Sequence, residues 1–254
     1  MKELHVLSID FDFFQNTTEY IIRNCYPDGI DLPTAITKLT WSSYYANPNS
    51  AQLLSEVTTN KKQLEELKDI IDSNCLENTP LMCTNSHKHI YDFIKTFMDA
   101  SEDKIEHVYV TNLDMHHDAF NKDDEVDCGN WAYHVKKDFP DCHIKWIANA
   151  ISEDMYGIEE NIFDSIETNL KSLQDETFDM IFVCRSDTWL PPHLDNDFDD
   201  LLYYLEASFQ NNQVEMAIEQ PRYDKSFEEQ IAHQKDMFVK MKEKINKKYG
   251  TRKE

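Results

Sequence analysis

The residues best suited to chemistry are in the DMHHD segment at positions 114–118. Alternate side chains of an extended chain leave from the same face, so Asp114, His116 and Asp118 would lie together while His117 points away. Carboxylates and imidazoles are common metal ligands. The apolar run at 107–113 predicts a buried strand, and open α/β sheets bind ligands beyond the carboxyl ends of their strands. The segment therefore predicts a metal site at the edge of a sheet.

A second acidic pair follows the first apolar run of the chain. Asp10 and Asp12 come directly after residues 4–9, and the same alternation would place both on one face. Burial of two neighbouring carboxylates is unfavourable unless a cation neutralises them. The pair therefore indicates a metal, with a helix cap beside a solvated carboxylate as the alternative.

His87 is a third candidate, although a single histidine is more often structural than a ligand. It follows the apolar run at 81–84 and precedes helical spacing at 90–98, with Ser86 as the predicted N-cap. The predicted metal ligands are Asp10, Asp12, His87, Asp114, His116 and Asp118. Six ligands rich in oxygen exceed the needs of one ion and predict two bridged Mn²⁺ ions.

The remaining pattern alternates strands with helices. Further apolar runs predict strands at 143–148 and 178–183, and helical spacing predicts helices at 52–71, 128–137, 158–173, 197–210 and 226–248. Residues 15–60 are irregular and predict an insertion near the mouth of the site. We expect one domain over residues 1–254, a three-layer α/β/α fold with a mainly parallel sheet.

Composition excludes several classes of protein. The net charge of -23 disfavours nucleic acid as a partner and suits a cationic substrate or metal ions. The four glycines cannot form a P-loop or a G-x-G-x-x-G turn, and the six cysteines include no C-x-x-C pair. No window resembles a membrane span or a signal peptide, so we expect a cytoplasmic protein without a membrane partner.

Four short segments resemble one superfamily. The DMHHD segment resembles the D-x-H-x-D metal motif of the arginase and deacetylase superfamily, and the SIDFD segment at 8–12 is similar to its S-F-D-V-D segment. Residues 85–87 are similar to its G-G-D-H-S segment without the glycines and the aspartate. The CGNW segment at 128–131, followed by His134, resembles its S-G-N-L-H stretch. The four matches lie within residues 8–134.

The order of these segments is permuted, because D-x-D precedes D-x-H-x-D here and follows it in ordinary arginases. This order is similar to an arginase-like family that includes the peptide arginases of ribosomal peptide natural-product pathways. The resemblance implies a cytoplasmic enzyme that holds two Mn²⁺ ions and hydrolyses arginine side chains of a precursor peptide to ornithine and urea.

The resemblance also implies roles for single residues. His134 would shuttle a proton, Asp114 and Asp118 would belong to the catalytic centre, and Asn130 would bind substrate. Asp187, beyond the run at 178–183, would hold the guanidinium by charge-assisted hydrogen bonds or would cap a turn.

Weaker candidates surround the predicted cleft. Asp123, Asp124 and Glu125 would draw a cation in, whereas Trp131 and Trp189 would flank the cleft or belong to the core. These assignments rest on position in the chain alone.

Three other functions stay open at this point. A deacetylase of the same superfamily would bind one zinc ion. A phosphatase of the haloacid-dehalogenase type would use the N-terminal D-x-D but would leave D-x-H-x-D unexplained. A protein that binds metal without catalysis is the third.

Overall fold

A computed structural model describes residues 2–27, 31–101, 104–156, 162–209, 215–217 and 227–249. The strands are β1 (Lys2–Asp10), β2 (Gln15–Asn16), β3 (Thr58–Thr59), β4 (Leu81–Thr84), β5 (Ile105–Asp114), β6 (Cys142–Ala148), β7 (Ser165–Glu167), β8 (Met180–Cys184) and β9 (Glu215–Ala217). The α-helices are α1 (Glu19–Cys25), α2 (Thr34–Ala46), α3 (Pro48–Leu54), α4 (Lys61–Asn74), α5 (His89–Ala100), α6 (Trp131–Asp138), α7 (Ser152–Met155), α8 (Asp195–Ser208) and α9 (Phe227–Tyr249).

Seven strands form one sheet in the order β7-β6-β5-β1-β8-β4-β9, and every pairing between neighbours is parallel. Strands β2 and β3 form a separate antiparallel ribbon. Because the strands of the main sheet run the same way, their carboxyl ends meet at one edge. The predicted parallel α/β fold is confirmed.

Helices cover both faces of the sheet, since side chains of each strand alternate between two cores. In β1, Leu7 and Ile9 pack with residues of α1, α2, α4 and α8, whereas Leu4 and Val6 pack with residues of α5 and α6. This is the predicted three-layer arrangement. Within the parts of the chain described above, no helix combines the length and the apolar character that crossing a bilayer requires.

Three predicted elements differ from the observed ones. Residues 15–60 are not irregular where they are described, because α1, α2 and α3 occupy most of that stretch. The predicted helix at 52–71 is interrupted at Thr58 and Thr59, which pair with β2, and Asn60 then caps α4 through its side chain. The predicted helix at 158–173 is wrong over its described part, which forms β7 and a 3-10 turn at Leu170–Leu173.

Candidate metal centre

The ends of adjacent strands bring the acidic segments together. Asp10 is the last residue of β1 and lies in register with Cys184 of β8, while Asp114 ends β5. Strands β1 and β5 are direct neighbours, with Ile9 opposite Leu113. Two segments about a hundred residues apart in sequence therefore meet at one edge of the sheet.

Past the strand ends, local turns orient the carboxylates. Asp12 lies in a 3-10 turn at Phe11–Phe14, and its N–H donates to Asp10 Oδ1 at 3.2 Å. The N–H of His116 donates to Asp114 Oδ1 at 2.7 Å, and Asp118 has a φ of 52°. The prediction that residues 114–118 alternate on an extended chain is therefore wrong, because the strand stops at Asp114 and a turn gathers the ligands.

His87 lies at the centre of a first group of ligand atoms. Its Nδ1 atom is 2.8 Å from Asp118 Oδ2, 3.1 Å from Asp114 Oδ2 and 3.3 Å from Asp10 Oδ2. All four side chains are buried. Ligand atoms of Asp10, His87 and Asp114 lie within 4.8 Å of one another, a spacing that could hold a metal ion.

His116 belongs to a second group, again buried. Its Nδ1 atom is 2.9 Å from Asp12 Oδ2 and 3.7 Å from Asp114 Oδ1. Ligand atoms of Asp12, Asp114 and His116 also lie within 4.8 Å of one another. We call Asp10, His87 and Asp118 the His87 half and Asp12 and His116 the His116 half, with Asp114 shared between them.

The donor atoms fit a cation better than they fit one another. Asp12 Oδ2 and His87 Nδ1 are buried, yet neither has a hydrogen bond of acceptable geometry with any residue that the structure describes. A buried polar atom without a partner is costly in free energy, and a bound ion would satisfy both atoms. The six residues predicted from sequence therefore form a buried site that could hold metal ions.

The electrostatics of the buried site also favour a bound cation. Burial, and then the charge of Asp114, raise the pKa of Asp10, and the same two causes raise the pKa of Asp118 to about 8. Burial by itself lowers the pKa of His87 and His116, but the surrounding carboxylates outweigh it and raise both. The pocket therefore attracts positive charge, which divalent ions would provide.

Three residues support the ligand segments, and the roles of two of them, Ser8 and Ser152, were missed from the sequence. The Oγ atom of Ser8 is 2.7 Å from His87 Nε2, which leaves Nδ1 facing the carboxylates. Trp131 donates from Nε1 to Asp118 Oδ2 at 2.5 Å, and Ser152 donates to the Met115 carbonyl at 2.7 Å. A polar Ser8 inside an apolar strand was the available signal, because it faces the same side as the ligands.

The predicted roles of His134 and Asn130 are not matched by their contacts. Both residues bind the loop that carries Asp123, Asp124 and Glu125, which we call the acidic loop. The Nε2 atom of His134 is 3.0 Å from the Asp123 carbonyl, and the ring lies against Tyr91 and Tyr133 instead of the metal ligands. Asn130 is buried and binds loop groups, accepting from the Asp127 N–H and donating to the Glu125 carbonyl. Both residues shape the loop, so proton shuttling and substrate binding stay predictions.

Asp187 and Ser86 also have other partners than predicted. Arg185 donates to both carboxylate oxygens of Asp187, at 2.6 and 3.1 Å, and the pair is buried. The charge of Asp187 is thus already neutralised, which weakens the case for a substrate cation there. Ser86 does not cap α5, whose N-cap position is Lys88, and its hydroxyl donates to the Asp31 carboxylate instead.

His117 lies outside both groups of ligand atoms, and its ring packs against other aromatic rings. Its ring centroid is 3.9 Å from that of Phe120 and 5.8 Å from that of Trp146.

No protein-family model matches the chain, and no curated protein or solved structure does either. What the site can do follows from its own residues and geometry.

Proposed function

We propose that this chain is a binuclear metal hydrolase that converts arginine residues of a peptide into ornithine and releases urea. The observation that carries the proposal is the position of Asp114. Its Oδ2 atom is 3.1 Å from His87 Nδ1, whereas its Oδ1 atom is 3.7 Å from His116 Nδ1. A carboxylate shared by two ligand groups favours two adjacent cations over one.

The donor set favours manganese. The donor set consists of four carboxylates and two imidazoles and includes no thiolate. Oxygen-rich mixed sites of this kind suit Mn²⁺, whereas softer sites select zinc. One ion would be held by Asp10, His87, Asp114 and Asp118, and the other by Asp12, Asp114 and His116. When bound, such ions lower the pKa of water and polarise an electrophile beside it.

The substrate follows from the sequence resemblance and from charge. The D-x-D and D-x-H-x-D segments resemble those of arginase-like enzymes, and a guanidinium is a cation that an acidic site attracts. Asp123, Asp124 and Glu125 are exposed in the loop between β5 and α6, and their charge would draw in an arginine side chain of a precursor peptide. A cytoplasmic location and the peptide partner stay predictions.

One contact counts against the phosphatase alternative. Asp12 Oδ1 accepts a hydrogen bond from the Met115 N–H at 3.1 Å, which ties the D-x-D segment to the D-x-H-x-D segment. A phosphatase of the haloacid-dehalogenase type would use D-x-D without the second segment. The shared Asp114 likewise favours two ions over the single zinc of a deacetylase.

The test is to incubate the manganese-loaded protein with arginine-containing peptides and with free arginine. Mass spectrometry would detect ornithine, and urea would be assayed in parallel. We expect ornithine in peptides, and no reaction after chelation or in a His116→Ala variant. Bound metal without urea from any guanidino compound would contradict the proposal and would move attention to acylated amines with zinc.

A further inference from the structure

The two histidines of the metal centre have different surroundings. The ring of His87 lies against Trp131 and Phe182, with centroid distances of 5.1 and 5.6 Å, and both neighbours are fully buried. The ring of His116 lies against Trp189 and Tyr156, with centroid distances of 4.5 and 5.1 Å.

A third ring completes the surroundings of His116. Phe120 lies 6.4 Å from the His116 ring and 5.4 Å from the Tyr156 ring, measured between centroids. We call Phe120, Tyr156 and Trp189 the aromatic rim. They come from the loop after β5, the end of α7 and the loop after β8. These three segments are distant in sequence and become neighbours only when the chain folds.

The rim reaches the surface. Phe120 is 46% exposed, and Tyr156 and Trp189 are half-buried. Of the ring contacts that the described residues make with the two ligand histidines, only those of the rim include an exposed side chain. A substrate would therefore approach the metal centre over the His116 half.

Phe120 of the rim also lies at one end of a loop that carries three exposed acidic residues. The N–H of Phe120 donates to the Gly129 carbonyl at 2.8 Å, which closes the loop that carries the exposed Asp123, Asp124 and Glu125. A Cβ atom at Gly129 would lie 3.3 Å from Phe120 Cδ2, so glycine permits this close approach. Aromatic faces beside carboxylates attract cations by both ring quadrupole and charge.

We propose that the aromatic rim binds the planar guanidinium of an arginine residue by stacking and thereby determines which side chain reaches the metal centre. This inference rests on the proposed function, because it assumes a guanidinium substrate. A neutral side chain of the same shape would lose the cation–π attraction while keeping the apolar contact.

The experiment measures binding of two matched probes to the manganese-loaded protein: N-acetyl-argininamide, and its citrulline counterpart, which is neutral and nearly the same shape. The concentration dependence of urea release gives KM for the arginine probe, and calorimetry gives Kd for the unreactive citrulline probe, in the wild type and in Trp189→Leu, Tyr156→Leu and the aromatic-retaining Trp189→Phe. Tyr203→Leu is the control, because Tyr203 is 76% exposed on α8 and lies outside the rim. Manganese content is measured for every variant.

We expect the two leucine variants to bind the arginine probe roughly 2- to 30-fold more weakly, with little change for the citrulline probe and none for Tyr203→Leu. Trp189→Phe should retain most of the selectivity. Equal weakening for both probes, or unchanged affinity for the arginine probe, would overturn the inference. Loss of manganese in the leucine variants would also overturn it, because the rings would then serve only to hold His116.

Failure of the proposed function would look different. In that case the wild type would not distinguish the two probes and would release no urea from arginine peptides. If the wild type releases urea but the leucine variants keep full selectivity, only the role of the rim is wrong.

Discussion

The two halves of the metal centre use the same ligand types in opposite settings. On the His87 side, Ser8 fixes the imidazole and fully buried rings cover it. On the His116 side, the Nε2 atom is buried without a hydrogen-bond partner among the described residues, and the covering rings extend to the surface at Phe120. The difference teaches that two halves with the same ligand types differ in access, because the His87 half is enclosed and the rings over the His116 half reach the surface.

The largest effect is expected where the halves join. Asp114→Asn keeps the shape of the side chain but removes the shared charge, so both ions should bind weakly. We expect activity on arginine peptides to fall by more than the roughly 10- to 100-fold typical of losing a residue that only orients a ligand. Steady-state urea assays and manganese analysis would check this, with Asp99→Asn on the exposed face of α5 as the control. Full activity in Asp114→Asn would show that the halves do not depend on a shared ligand.

A smaller effect is expected for a residue that supports only the His87 half. Ser8→Ala removes the hydrogen-bond partner of His87 Nε2 and frees the ring to turn, so manganese affinity should fall roughly 10- to 100-fold. Metal titration would measure this, with the exposed Ser73→Ala as the control. An unchanged titration curve would mean that packing of Trp131 and Phe182 alone orients His87.

His193, a half-buried histidine that is not among the ligands, has a pKa shift opposite to that of the two ligand histidines. His193 has hydrogen bonds from Tyr45 and to the Val57 carbonyl, and burial lowers its pKa to about 4. The unfolded chain binds this proton below about pH 6.5, so stability should be lost as pH falls from there towards 4, by up to roughly 3 kcal/mol.

Urea unfolding of the wild type and His193→Gln across this pH range would measure that loss. Glutamine can accept and donate one hydrogen bond without titrating, so the variant should lose less stability on acidification. Parallel pH profiles for the two proteins would contradict the assignment.

The smallest effect concerns the open half. Asp124→Asn removes one exposed charge from the loop that Phe120 closes, so KM for an arginine peptide should rise by less than about threefold at low salt and not at all near 1 M salt, where screening acts within about 3 Å. Asp99→Asn is again the control. A KM change that persists at high salt would indicate direct contact instead of long-range attraction.

The sequence was sufficient to predict the parallel sheet and the meeting of the candidate ligands at one of its edges, but not the residues that surround them. Apolar runs ending in Asp10, Thr84 and Asp114 predicted parallel strand ends, and parallel topology then brings the ligands together. The predicted alternation of side chains does not continue beyond Asp114, because the strand ends there and Asp118 adopts the left-handed conformation of a turn.

The sequence also did not predict the side-chain partners of Asp187 and His134. The pairing of Asp187 with Arg185 and the contact of His134 with the acidic loop depend on side-chain directions that no spacing encodes. The helix expected at 158–173 failed for a different reason, since Ile166 joins the sheet in β7 beside Trp146. Pairing with an existing strand edge outweighed local helical spacing.

The most direct test of the account is the number and coupling of manganese ions in the wild type and in Asp12→Ala. Elemental analysis combined with electron paramagnetic resonance would report both. We predict two ions per chain with an exchange-coupled spectrum in the wild type, and one uncoupled ion in Asp12→Ala, held by the His87 half. A single uncoupled ion in the wild type, or a coupled pair that survives in Asp12→Ala, would contradict the two-ion centre.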